Sequence, residues 1–142
     1  MVYHLSFFCR SGEENASSAL VNLLAKLTES AGPPILAKPG TGDYVDEVAA
    51  CDIATDNGSG APAAGWIGLE MHAGVAFIAE DVIDASPDNA HGVWGSDLQV
   101  QLTLSGEMDD ALVDRIWRTL TDMWAAVAWD ESSGFDINKD PR

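Results

Sequence analysis

The sequence predicts an α+β fold: a single domain over residues 1-142, with a mainly antiparallel β-sheet and two helices packed on one face. Three observations carry that prediction. Leu98, Val100, Leu102 and Leu104 alternate with Gln99, Gln101 and Thr103, the period of a strand with one buried face. Leu112, Ile116, Leu120, Met123 and Val127 then recur at steps of four and three, with Val113, Trp117 and Trp124 widening the stripe, as in an amphipathic helix lying on a sheet. A second strand-then-helix unit opens the chain, and neither a repeat period nor a linker divides the sequence into two cores.

In chain order, Tyr3, Leu5, Phe7 and Cys9 alternate with Val2, His4, Ser6 and Phe8, and aromatic side chains on both faces predict a central strand. Ser11 and Glu14 have the spacing of a reciprocal capping box, so a helix should begin there. Its inward stripe is Ala16, Leu20, Leu23, Leu24, Leu27 and Ala31, and Gly32-Pro33-Pro34 ends it. From Ile35 to Gly65, turn residues punctuate the chain at Pro39-Gly40-Thr41-Gly42 and Asn57-Gly58-Ser59-Gly60-Ala61-Pro62. Between them Tyr44, Val45, Val48 and Cys51 have the spacing of a short helix capped by Thr41 or Asp43. A loop this long is a binding loop or a mobile one, and the tip from Asn57 to Gly60 is expected to be mobile. Trp66 to Met71 and Val75 to Ala79 are apolar runs separated by His72-Ala73-Gly74, which predicts a hairpin. Pro87-Asp88-Asn89 ends any strand through Val82 and Ile83, and Ala125 to Trp129 reads either as a helix end or as a short extended segment.

Composition narrows the function classes. With 46% hydrophobic residues the chain can build one proper core, which argues against disorder. Against 23 acidic residues stand 7 basic ones, a formal net charge of -16, a field that repels nucleic acid and attracts basic partners. Cys9 and Cys51 are far apart and outside any C-x-x-C spacing, so two buried thiols in a reducing cytoplasm are expected rather than a disulfide framework or a thiolate metal site. The start Met1-Val2-Tyr3-His4 lacks the features of a signal peptide, and no apolar run approaches the roughly 18 residues that span a bilayer. A cytoplasmic protein is expected.

Catalytic and cofactor signals are missing from the pattern. His4, His72 and His91 are isolated from one another, with no H-e-x-x-H pair to hold zinc, and each reads as a surface or strand histidine. Gly40-Thr41-Gly42 and Gly58-Ser59-Gly60 lack the residues that complete a phosphate cradle, and no serine sits in a G-x-S-x-G elbow. Asp52 and Asp56 beside Asn57-Gly58 lack the ligand spacing of a calcium loop. No catalytic residue, metal site or cofactor is therefore assigned, and the chain is read as non-enzymatic. Glu107, Asp109 and Asp110 suit the start of the second helix, and Asp114 with Arg118 makes an exposed helical pair.

The carboxylates without such a role are Glu80, Asp81, Asp84, Asp88 and Asp97, with Asp130, Glu131 and Asp136 toward the other end, and Trp94 and His91 lie among the first group. An acidic rim around an aromatic anchor suits an inhibitor of a basic active site, because the field steers association while the ring supplies desolvated contact. Glu80, Asp81, Asp84, Asp88, Trp94, Asp97, Asp130 and Glu131 are the partner-binding candidates. A solvated acidic surface with a core tryptophan, or a saline habitat, would account for the same residues.

Tyr3-His4-Leu5-Ser6-Phe7-Phe8 running into an acidic, then leucine-rich helix, and Leu120-Thr121-Asp122-Met123-Trp124 followed by Trp129-Asp130, resemble small α+β immunity proteins of bacterial polymorphic toxin systems. The likeness covers the two ends of the chain. It implies a cytosolic, non-enzymatic inhibitor that binds a cognate toxin domain, basic in character, at or beside its active site, without contacting nucleic acid or membrane directly. Two alternatives remain: a nucleic-acid mimic of the anti-restriction or anti-CRISPR type, and a small enzyme or ligand-binding domain that uses the Trp66 to Phe77 hairpin as a pocket wall.

Overall fold

Alternating residues along the strand Leu98–Ser105 and along the strand Val2–Cys9 place one apolar row each on the same side of a sheet, and the two strands pair antiparallel from Val2↔Ser105 to Cys9↔Leu98. The computed structural model describes residues 2–12, 15–30, 32–39, 48–86, 88, 92–105 and 109–130. Their elements are β1 (Val2–Cys9), α1 (Ala16–Glu29), β2 (Ile35–Pro39), β3 (Val48–Thr55), β4 (Ile67–Ala73), α2 (Val75–Ala85), β5 (Leu98–Ser105), α3 (Asp110–Trp124) and β6 (Val127–Trp129). The six strands form one antiparallel sheet in the order β2-β3-β4-β5-β1-β6. The α+β class and the packing of two helices on one face are as the sequence predicts.

One face carries the large core. Leu5 and Phe7 of β1, Leu69 and Met71 of β4, and Val100 and Leu102 of β5 pack against Leu20, Leu23 and Leu27 of α1 and Leu112, Ile116 and Leu120 of α3. Phe7 meets Trp117 edge to face, with ring centroids 5.4 Å apart at 77°, a geometry that adds about 0.5–1.5 kcal/mol to the area buried. Asn15 caps α1, its Oδ1 accepting from Ser18 N at 2.8 Å, so the cap falls four residues beyond the predicted Ser11; Glu13, Glu14 and Ala31 lie outside the described residues. Asp109 caps α3 in the same way, and the helix ends on Ala125 in the left-handed region at φ 52°.

Arg115 ties α3 to the end of α1. Its guanidinium donates to Leu27 O and Pro33 O at 2.7 Å, Ser30 Oγ at 2.8 Å and Ser30 O at 3.2 Å. Carbonyls left over at a helix C-terminus are natural acceptors for a cation. Asp114 is more buried than an exposed helical pair would be, although Arg118 Nε does reach its Oδ2 at 3.1 Å.

The opposite face differs from the prediction in its third helix. Val75 to Ala85, expected to give a strand through Ala79 and extended chain at Val82 and Ile83, is α2. A short continuous apolar run does not distinguish a strand from a buried helical segment by periodicity, and here Ile78 and Val82, one turn apart, both face inward. They meet Phe8 and Val93 in a second, smaller core, with Val127 and Trp129 of β6 against it. Phe8 and Phe7 thus fill opposite cores, which is why β1 is aromatic on both faces. The expected helix over Tyr44 to Cys51 is also corrected: residues 48–51 open β3, and the part before Val48 lies outside the described residues. β2 and β3 lie within the segment expected to be loop, their pairing running from Ile35↔Thr55 to Pro39↔Cys51. The turn beyond β3 is knitted together, Asp56 Oδ1 accepting from Gly58 N and Gly60 N at 2.8 and 3.0 Å. Ala125 to Trp129 resolves as the extended option, with Val127 to Trp129 forming β6.

Candidate functional site

α2 runs as a ridge over the polar face of the sheet, and helical spacing decides what each of its sides presents. Ile78, Val82 and Ala85 point down into the small core. Glu80 and Asp84, exposed, form the crest, while Asp81 lies on one flank and Ala79 and Ile83 on the other. α2 has no basic residue in its last turn to offset these carboxylates.

On the Asp81 flank lies a cleft of about 410 Å³. Its floor is the polar row of the sheet: His4 and Ser6 of β1, Gln99 and Gln101 of β5, and Glu70 and His72 of β4. Phe8, Trp129, Asp84 and Ala85 complete the lining. Period-two alternation puts these side chains together, since Ser6 pairs with Gln101 and Trp129, and Glu70 pairs with Gln101. His72 Nε2 contacts Glu70 Oε1 directly, and His4 Nδ1 lies 3.2 Å from Gln101 Nε2 and 3.3 Å from Thr103 Oγ1. Burial pushes the Asp81 carboxyl up from its ordinary range, as do Glu80 and Asp84, against the opposing pull of His72 and the hydrogen bond from Gln99.

On the other flank Ile83 and Trp94, 54% and 46% exposed, line a groove of about 250 Å³ with Ala79, Gly95 and Ser96. With Val21 they are the exposed large hydrophobic residues among those described. The loop that carries Trp94 is fixed to the end of β1. Arg10 Nη2 donates to Gly92 O and Trp94 O at 2.8 and 3.1 Å, Asp97 N donates to Cys9 O at 2.9 Å, and Asp97 Oδ1 accepts from Ser11 N and Ser11 Oγ at 2.6 and 3.1 Å. Val93 is fully buried beneath, and Trp94 Nε1 donates to Ser86 O at 2.5 Å. The indole is therefore held in place while remaining partly exposed.

Of the eight residues singled out from the sequence, Glu80, Asp81 and Asp84 share α2, Asp88 lies exposed just beyond it, and Trp94 borders its apolar flank. Asp97 positions the Trp94 loop. Asp130 stands apart: at 4% exposure it accepts from the Tyr3 hydroxyl, and Tyr3 packs against the large core on the opposite face. The Tyr3 phenol is pushed up by burial and by this bond. Glu131, His91 and Asp136 lie outside the described residues. The cleft residues His4, Ser6, Gln99 and Gln101 are not among the eight, although Gln99 and Gln101 were legible as the outward row of a half-buried strand and His4 and Ser6 as one face of a two-sided one.

Trp66 does not form a hairpin wall; Lys38 Nζ sits 4.3 Å from its ring centroid. No group of three or more His, Cys, Asp or Glu suited to a metal ion occurs among the described residues. No helix among them is long and apolar enough to cross a membrane. Comparison with family models, curated proteins and solved structures found no match to this chain.

Proposed function

We propose that this protein is a non-enzymatic inhibitor that binds and neutralises a basic partner protein, in the manner of an immunity protein covering a toxin domain. The observation that carries the proposal is the pairing of two exposed apolar side chains, Ile83 and Trp94, in one groove beside the exposed carboxylates Glu80, Asp84 and Asp88. A protein contact draws its affinity from a few desolvated anchors, tryptophan prominent among them, while surrounding charge sets the rate and choice of partner. The anchor is pre-positioned, which lowers the ordering cost of binding. The net charge of -16 gives long-range attraction for a basic surface.

Co-expression with the toxin domain of a neighbouring gene tests this. The wild-type chain should protect the host, and Trp94→Ala should weaken the purified complex by about 2 kcal/mol or more, roughly 30-fold. Trp94→Phe, which keeps a ring in the groove, should lose less. Glu80→Gln with Asp84→Asn should slow association and flatten its dependence on salt while leaving dissociation nearly unchanged. Absence of protection, or an association rate insensitive to ionic strength, would refute the proposal.

A further inference from the structure

Beyond that protein contact, we propose that the cleft on the Asp81 flank of α2 is a binding site for a small organic cation, a guanidinium or primary ammonium group. The inference does not rest on the inhibitor proposal, since it concerns the isolated protein and the side of α2 away from Trp94. Its volume of about 410 Å³ lies within the range of small-molecule sites, roughly 300–1,000 Å³. The charge of the lining selects the ligand. Asp81, Asp84 and Glu70 all line it and, among the described residues, no lysine or arginine does, so an anion is repelled and a cation gains two or three carboxylate acceptors. Trp129 and Phe8 supply the aromatic side against which a guanidinium or an alkylammonium packs favourably.

A separate observation points to a ligand. Ser6, only 7% exposed, lines the cleft, and its hydroxyl makes no hydrogen bond among the described residues. Polar side chains in mostly buried positions are ordinarily paired, and the Ser6 hydroxyl, open to the cleft, has a place there for a polar group of a ligand. Gln99, also nine-tenths buried, lies with Asp81 in the lining of the cleft. The size of the group follows from the same lining. One cationic head against Asp81 and Asp84 with a short methylene stem along Trp129 fits the mixed polar and aromatic surface, whereas a large apolar molecule would strand the polar floor.

Agmatine, a guanidinium and an ammonium joined by four methylenes, is the probe. Titrated at low salt and pH 7.5 and followed by amide and indole NMR shifts, it should perturb Ser6, Gln99, Gln101 and the Trp129 indole in a saturable way at millimolar concentration or below. Asp81→Asn and Asp84→Asn should each weaken binding about tenfold, the scale of one charge-assisted hydrogen bond. Glu80→Gln and Asp88→Asn, which remove the same charge from the ridge outside the cleft, should change it less than about twofold, as expected for screened surface charge. Asp84 is exposed, so Asp84→Asn keeps the test usable even where a buried variant fails to fold. A Gly-Arg-Gly amide peptide separates two sources of the same chemistry: shifts with both probes include arginine side chains of polypeptides among the ligands, and shifts with agmatine alone restrict the site to free cations. Shifts spread evenly over the acidic surface, no shifts at the cleft, or equal weakening by the ridge and cleft variants would overturn the proposal.

Discussion

Replacing Arg115 by methionine removes the clamp between α3 and the end of α1 without emptying the space its stem fills. Four hydrogen bonds are lost, to Leu27 O, Ser30 O, Pro33 O and Ser30 Oγ. A bond from a charged donor contributes about 1.5–3 kcal/mol. The sum overstates the loss, because Leu27 O also accepts from Ser30 N and Ser30 Oγ, and because methionine removes the desolvation cost of a guanidinium that is 9% exposed. A net loss of about 2–4 kcal/mol is expected, a large part of the roughly 5–15 kcal/mol that a domain has. With a urea slope near 2 kcal/mol per molar, the unfolding midpoint should fall by about 1–2 M at unchanged slope. Gly32 supplies the check on mechanism: a Cβ there would lie 3.0 Å from Arg115 Nη1, on a residue at φ +144°. Gly32→Ala should therefore cost more in the wild type than in the Arg115→Met background, with a coupling of at least about 0.5 kcal/mol. A midpoint shift under about 0.3 M for Arg115→Met, or strictly additive effects of the two changes, would refute the clamp.

Three further outcomes follow from individual residues. The folded-state pKa of Asp81 is raised, so its charge opposes folding above that pKa and the opposition disappears as pH falls toward the ordinary aspartate value near 3.9. Asp81→Asn should accordingly raise the melting temperature at pH 7 and leave it unchanged near pH 3, measured by calorimetry, even as it removes a cation ligand from the cleft. Burial pushes the Cys51 thiol up to about 11, and Cys9 is raised further by burial and by Asp97, so a thiol reagent at pH 8 should label neither at an appreciable rate until denaturant is added. Ala125 ends α3 at φ 52°, a conformation glycine adopts without strain, so Ala125→Gly should stabilise the protein by about 0.5–1 kcal/mol in urea unfolding.

The α+β class, the β5-α3 unit, the β1-α1 unit and the two-sided character of β1 were legible because each shows a periodicity that one buried face imposes. α2 was not, because its apolar run is short and bounded by glycine, and only the presence of Phe8 and Val93 beneath it selects a helix over a second hairpin strand. β2 and β3 were hidden for a related reason: edge pairing fixed their register where turn residues dominated the composition. Of the candidate site, the acidic character of 80–88 and the aromatic Trp94 could be read directly. The roles of Asp97 and Asp130 could not, since both depend on partners 86 and 127 residues away in the chain.

The sequence alone thus determines that a half-buried sheet carries helices on its apolar rows and that the surface is strongly acidic, because period and charge are local properties of the chain. Tertiary structure alone decides that α2 crosses the polar rows of that sheet. In doing so it separates side chains that are near neighbours in sequence, turning Asp81 toward a cleft lined from four strands and leaving Ile83 beside Trp94 on the other side. Helical geometry sends residues two apart to opposite flanks, and no one-dimensional pattern says what waits on either.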